Sequence, residues 1–215
     1  MALTSKYEEK LLNVLVKWIP GWVSPDMLTG IALIAALLGY ISYLLAAKEM
    51  SYLWLVNGCL IIHWLADSLD GRIARYRNIG RPNYGYYVDH MLDSVSAVLF
   101  LGGLTTSAIS ESAAWIWMLA LMLLLMTHTF LKTSTLKVFE MSMQGVGPTE
   151  ARIGLFLVNL FIWVVGNPRY MILGMPFRLI DVIGGIAGIG LTLFLLMQFV
   201  DTAVKLDKLD SKKLI

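Results

Sequence analysis

The sequence predicts an all-α integral membrane protein: six transmembrane helices preceded by an N-terminal amphipathic juxtamembrane helix. Three observations carry this. Hydrophobic residues make up 58% of the 215 and charged residues only 15%, where a soluble domain carries about 25% charged. Mean hydropathy is +0.70. The apolar residues also gather into six runs, each near the roughly 20 residues that a membrane span needs.

Taken in order, residues 5–19 read as a helix lying in the headgroup layer. Tyr7, Leu11, Leu15 and Trp18 form a stripe, with Lys6, Glu9, Lys10, Asn13 and Lys17 off it, which is the pattern of an interfacial helix. Pro20 and Pro25 separate it from the first span, because proline cannot continue a helix from within. The spans are expected at 28–47, 51–70, 86–108, 112–131, 151–166 and 178–200, the fifth being short. Together they form one domain over 1–215, with a six-helix bundle at 28–200 and a charged tail at 205–215 that is expected to fray. Residues 1–20 are charged throughout, so no cleavable signal peptide is expected. Cys59 is alone, so no intrachain disulfide forms. Trp18, Trp22, Trp115 and Trp117 stand at span ends, where amphipathic rings collect. Gly184-x3-Gly188 permits close helix contact in the sixth span.

Lysine and arginine orient the bundle. With the N-terminus in the cytoplasm, that side holds Lys6, Lys10, Lys17, Arg72, Arg75, Arg77, Arg81, Lys132, Lys137, Arg152, Lys205, Lys208, Lys212 and Lys213. The far side holds only Lys48, Arg169 and Arg178. An excess of cations marks the cytoplasmic face, so both termini are expected inside. A net charge of +2 and the lack of a basic-aromatic platform argue against nucleic acid as a partner.

Four aspartates cluster where the second span ends and the third begins. Asp67 and Asp70 are i,i+3 and share a helical face with Gly71 and Ala74 beside them; Asp89 and Asp93 are i,i+4, with Gly85 one turn earlier. Carboxylates crowded at a membrane edge repel one another and resist desolvation, so they stay ionised together only with cations among them. Two such faces can close around one or two hard divalent ions, and the small residues leave room for a ligand to approach the backbone.

The series Asp67, Asp70, Gly71, Ala74, Arg75, then Gly85, Asp89, Asp93 reads D-x2-D-G-x2-A-R, a spacer, G-x3-D-x3-D. It resembles the signature of the CDP-alcohol phosphotransferase family. The family spacer is usually eight residues, whereas Tyr76 to Tyr84 makes nine here, a difference that a loop absorbs. Ser24 to Thr29 (S-P-D-M-L-T) is similar to the family's P-N-x-x-T, with Asp26 in place of asparagine. Asp89-His90-x2-Asp93 resembles the D-H-x2-D of choline and ethanolamine phosphotransferases, and Gly147 to Arg152 (G-P-T-E-A-R) resembles the T-E of that branch.

The resemblance implies a reaction, a cofactor and partners. A hydroxyl attacks the β-phosphorus of a CDP-linked alcohol and CMP leaves. The donor is a CDP-aminoalcohol or CDP-diacylglycerol, and the acceptor is a lipid or a small alcohol. Mg²⁺ or Mn²⁺, two ions per site, is implied, with Asp67, Asp70 and Asp89 as ligands. Asp93 is the last ligand, the general base, or both, and His90 is the rival base. Gly71, Ala74 and Gly85 are implied to line the nucleotide pocket, and Arg75 to reach a phosphate or to hold the motif carboxylates. A homodimer with its site facing the cytoplasm, in a prokaryotic inner membrane or the endoplasmic reticulum, is implied as well.

Other polar residues have plainer readings. His63, one turn before Asp67, reads as a hydrogen-bonded interior histidine, and His128 with Lys132 as packing or acceptor-side lining. Glu150 and Arg152 read either as a helix-start pair, with Thr149 as a cap, or as a headgroup contact. Arg178 and Asp181 read as i,i+3 partners. Two other function classes compete. A membrane prenyltransferase also holds pyrophosphate with aspartates and Mg²⁺, but those enzymes typically show D-x3-D motifs on a longer chain with more spans, and the D-x2-D-G-x2-A-R spacing here argues against one. A cation transporter would place its acids near the midplane rather than at a membrane edge.

Overall fold

A computed structural model describes residues 5–136, 148–172 and 174–211, with the side chains of 5–7 left out. Several sequence expectations therefore lie outside the described residues: Lys137, Lys212 and Lys213 of the cation count, Gly147, the end of the tail, and the side chains of Lys6 and Tyr7.

Seven α-helices are described: α1 (Ser5–Leu15), α2 (Pro25–Ala46), α3 (Leu53–Tyr76), α4 (Pro82–Thr106), α5 (Ala114–Leu136), α6 (Pro148–Val165) and α7 (Leu179–Ser211). Among the described residues, five helical stretches are long and apolar enough to cross a membrane: α2, Met50–Tyr76 containing α3, α5, α6 and α7. The helix expected to be the third span is α4. It has 25 residues but is not among the five, since its first half carries Asp89, His90 and Asp93.

Local chemistry sets the boundaries. Ser24 caps α2 by accepting the Met27 N–H at 3.1 Å, with Pro25 at the first helical position. Pro82 likewise opens α4. α3 runs on to Tyr76, so Gly71 to Arg75 lie on the helix and not in the linker. Asn78, at φ 57°, adopts the left-handed conformation that asparagine tolerates and follows the helix end. α7 continues to Ser211, eleven residues past the expected end, so the tail to that point is helical rather than frayed.

The all-α expectation needs one amendment. β1 (Arg169–Ile172) and β2 (Met175–Arg178) form an antiparallel hairpin pairing Arg169 with Arg178 and Ile172 with Met175. Glu111 receives Arg169 at 2.5 Å and Arg178 at 2.7 Å, pinning the hairpin to the α4–α5 connection. Asp181 does not pair with the Arg178 guanidinium. Instead it accepts the Ser110 hydroxyl at 2.6 Å and the backbone N–H groups of Glu111 and Arg178.

The packing explains which residues are small. α2 packs most extensively on α3 and then on α4, α5 on α7 and α4, and α6 chiefly on α3. A Cβ on Gly39 would overlap the Phe100 ring, and one on Gly103 would sit 2.8 Å from the Tyr40 Cα, so α2 and α4 exchange a bulky residue for a glycine twice. Gly184 and Gly188 receive Trp115 and Trp117, with a Cβ 2.8 Å from each indole. The glycine pair thus serves α5–α7 packing within the chain. Tyr43, Asn159 and Asn57 form a buried polar chain across α2, α6 and α3, with hydrogen bonds of 2.9 Å each.

The segment that opens with α1 has a second apolar face beside the expected stripe. Leu12 and Val16, not Leu11 and Trp18, are buried, and they pack with Leu69, Ile73 and Leu28. Leu11 is exposed, and Trp18 and Trp22 are 80% and 74% exposed. The helix therefore has one apolar face on α3 and another open. Arg77, just past α3, donates to the carbonyls of Ile19, Pro20, Gly21 and Val23 at 2.5–3.3 Å, and Arg72 donates to Asn13 at 3.1 Å. The segment from α1 to α2 is thereby fastened to the end of α3.

Candidate active site

The last third of α3 carries Asp67, Asp70, Gly71, Ala74 and Arg75, and the first half of α4 carries Gly85, Asp89, His90 and Asp93. The helical spacing puts the acids of each pair on one face, and the fold brings the two faces together. Asp67 lies close enough to Asp70, Asp89 and Asp93 for their charges to interact. The expected cluster is therefore a spatial cluster.

Each acid has a distinct partner. Asp70 is buried; its Oδ2 accepts the Thr29 hydroxyl at 2.6 Å, and its Oδ1 accepts the Gly71 N–H. Thr29 is the threonine of S-P-D-M-L-T, so the start of α2 supports the acid site directly. Asp26 of the same segment pairs with Arg81, whose guanidinium also lies 4.0 Å over the Tyr84 ring. Asp89 Oδ2 is 3.1 Å from His90 Nδ1. The His90 ring is stacked between Tyr86, with centroids 4.2 Å apart, and Phe130, at 5.3 Å. Its backbone carbonyl accepts the Ser94 hydroxyl.

Arg152 is the residue that the sequence placed least well. It comes from the first turns of α6, and its Nη2 sits 2.8 Å from Asp67 Oδ2 and 3.0 Å from Asp93 Oδ1. The three side chains are only 16–20% exposed. One guanidinium nitrogen thus bridges two carboxylates, with a charge-assisted hydrogen bond to Asp93, the strong class. Thr149 does not cap α6. It lies inside the helix, and its hydroxyl donates to Glu8 of α1, 3.3 Å away. Glu8 also accepts the Trp64 indole N–H at 3.2 Å. The only sequence signal for these ties was the run P-T-E-A-R at the head of an apolar helix.

A Cβ on Gly85 would meet nothing within 4 Å, and one on Gly71 only the Arg75 guanidinium, at 3.4 Å. Packing in this structure therefore does not demand glycine at either position. Ala74 is half-buried and Arg75 exposed beside them. His63 is buried with its ring edge-on to Phe100, and its Nδ1 has no hydrogen-bond partner among the described residues, unlike the hydrogen-bonded histidine expected. His128 is half-buried on α5.

The donor set suits a hard divalent ion in type: four carboxylates, all oxygen, on facing helices. As placed, no three histidines, cysteines or acids among the described residues gather tightly enough to hold one. Arg152 lies between Asp67 and Asp93. The residues fit such an ion by chemistry and number, with a protein cation sharing two of them.

The sequence profile described as CDP-alcohol phosphatidyltransferase matches residues 22–201, which include every acid of the cluster and Arg152. Cholinephosphotransferase 1 of Homo sapiens is 35% identical over 100 residues, covering 44% of this chain and 24% of the relative. Cholinephosphotransferase 1 of Xenopus laevis is 25% identical over 187 residues, covering 82% of this chain and 46% of the relative. The chain thus spans less than half the length of these two curated relatives.

Proposed function

The chain belongs to the CDP-alcohol phosphatidyltransferase family, and from that premise we propose that it moves a phosphate-linked alcohol from a CDP-linked donor to an acceptor hydroxyl, releasing CMP. The observation that supports this best is the meeting of Asp67, Asp70, Asp89 and Asp93 from two helices of the matched region. The donor is a CDP-linked aminoalcohol and the acceptor a lipid hydroxyl. D-H-x2-D and the relatives' name, cholinephosphotransferase, favour this over CDP-diacylglycerol as donor.

Asp67, Asp70, Asp89 and Asp93 would hold Mg²⁺ or Mn²⁺. When bound, such ions neutralise pyrophosphate charge and orient its oxygens. The chain's own residues do the rest. Gly71, Ala74 and Gly85 leave open surface for the nucleotide, and Arg75 stands over Gly71 where a phosphate can be met. The acceptor oxygen bonds to the β-phosphorus as the bond from that phosphorus to the CMP oxygen breaks, and the hydroxyl proton passes to a base.

Two residues compete for that role, and the geometry favours His90. The ring lies between Tyr86 and Phe130, with the Asp89 carboxylate 3.1 Å from Nδ1, and imidazole suits proton transfer near neutral pH. Asp93 is engaged by Arg152. Loss of turnover in His90→Ala with metal binding intact supports this assignment. Retained turnover in that variant, with loss in Asp93→Asn, assigns the base to Asp93 instead.

The same reading covers the membrane arrangement. α4 crosses as the third of six spans, its polar half lying in protein and headgroup surroundings. α1 rests in the interface with Leu11, Trp18 and Trp22 towards lipid. Residues 1–215 act as one domain, a homodimer, with the acids facing the cytoplasm. The functional test is purified protein supplied with Mg²⁺ or Mn²⁺, a diacylglycerol acceptor and a panel of CDP-linked donors, with CMP release measured. Release from an aminoalcohol donor supports the reading; release from none, under any metal, overturns it.

A further inference from the structure

Arg152 crosses a gap that backbone packing leaves open. α6 packs chiefly on α3 and makes at most glancing contact with α4, yet this one guanidinium reaches acids on both. One turn earlier, Thr149 ties the same end of α6 to Glu8, which also holds Trp64 of α3. The head of α6 is thus fixed from two sides, and Arg152 is held where the carboxylates converge.

The charges decide what this means. Four carboxylates stand together, and Arg152 is a permanent cation among them, since a guanidinium keeps its proton in any protein setting. Asp67 Oδ2 and Asp93 Oδ1 already accept from it at 2.8 and 3.0 Å. Oxygens engaged this way are not open to a divalent ion on the same side. A phosphate offers the guanidinium an equivalent bidentate partner.

Resting on the metal-dependent reading above, we propose that Arg152 is the resident counter-cation of the acid cluster, which gives up at least one aspartate as a divalent ion binds and turns to the anionic donor instead. Arg152 is then a positioning residue that couples two ligands. It opposes metal binding in the free protein and relieves that opposition when a pyrophosphate arrives. Linkage requires the converse, so the metal tightens the donor by the same factor.

The test reads metal occupancy, not turnover. Mn²⁺ binding to the purified full chain is titrated by electron paramagnetic resonance in wild type, Arg152→Gln and Arg152→Lys. Each is measured with and without a CDP-linked aminoalcohol, kept below the concentration at which it binds Mn²⁺ in solution. Without donor, Arg152→Gln binds Mn²⁺ about tenfold tighter than wild type, the usual scale of such couplings. Arg152→Lys, which keeps the charge but loses the fork, falls between them. The donor tightens Mn²⁺ in every form through the pyrophosphate itself, and in wild type by about a further tenfold that Arg152→Gln loses. Thermal unfolding checks each variant, and if the glutamine form does not fold, the lysine form carries the test. Unchanged or weaker Mn²⁺ binding in the folded variants overturns this inference alone. A wild type that binds no Mn²⁺ overturns it together with the metal-dependent reading.

Discussion

Two adjacent glycines of α4 should respond oppositely to the same substitution. Gly103 faces α2, where an added methyl would lie 2.8 Å from the Tyr40 Cα and 3.1 Å from its carbonyl oxygen. Those are backbone atoms, so no rotamer change relieves the overlap and the helices must part. Overpacking of this kind costs about 1–3 kcal/mol. Against it stands about 1 kcal/mol gained whenever a helical glycine becomes alanine. Gly102 meets nothing within 4 Å and keeps only the gain. The two alanine variants therefore differ by the steric cost alone, about 1–3 kcal/mol, with Gly103→Ala the less stable. Denaturant unfolding of both in one detergent measures it. Gly103→Ala should also lower turnover, because α2 carries Thr29 against Asp70 while α4 carries Asp89 and Asp93. Equal stability of the two variants would refute the close α2–α4 packing from which this is argued.

Three further outcomes are expected. Asp67→Asn leaves the fold intact, by thermal unfolding, but lowers CMP release at least about a hundredfold, since misplacement of a reacting group costs that much. Asn159→Leu strands the buried Tyr43 hydroxyl and Asn57 carbonyl and lowers unfolding stability by about 1–3 kcal/mol. Hydrogen bonds from Arg169, then Arg178, pull the Glu111 carboxyl down to about 2 from its ordinary 4.5. A group lowered in this way adds stability above its ordinary value and loses it as pH falls through the folded one. The hairpin should therefore loosen between about pH 4.5 and 2 in wild type, and Glu111→Gln should abolish that pH dependence in amide exchange of residues 169–178.

How much was legible in the sequence depended on distance along the chain. The aspartate pairs were readable because three- and four-residue spacings fix a helical face, and the two faces meet as that spacing suggests. Apolar runs placed the span-length helices to within a few residues, apart from the extended ends of α3, α5 and α7. Features made by distant partners were hidden. Nothing in P-T-E-A-R says that Arg152 reaches Asp67 and Asp93, on two other helices. The Gly184 and Gly188 pair advertises a close contact but not that its guests are Trp115 and Trp117. The stripe of Leu11 and Trp18 was readable from its spacing, but the second apolar face, Leu12 and Val16, was not, since its partners Leu28, Leu69 and Ile73 lie on α2 and α3. The short hairpin at 169–178 lies between strong helical signals and is held by Glu111 from elsewhere.

Phosphoryl transfer at the acid cluster must pass the donor's β-phosphate to lipid as CMP leaves. The most direct measurement follows a donor labelled with ³²P at its β-phosphate, incubated with the protein, Mg²⁺ and diacylglycerol. The expected result is one CMP released for each β-phosphate found in lipid, absent in Asp67→Asn. Release of free pyrophosphate or inorganic phosphate, or label that never leaves the nucleotide, would contradict it.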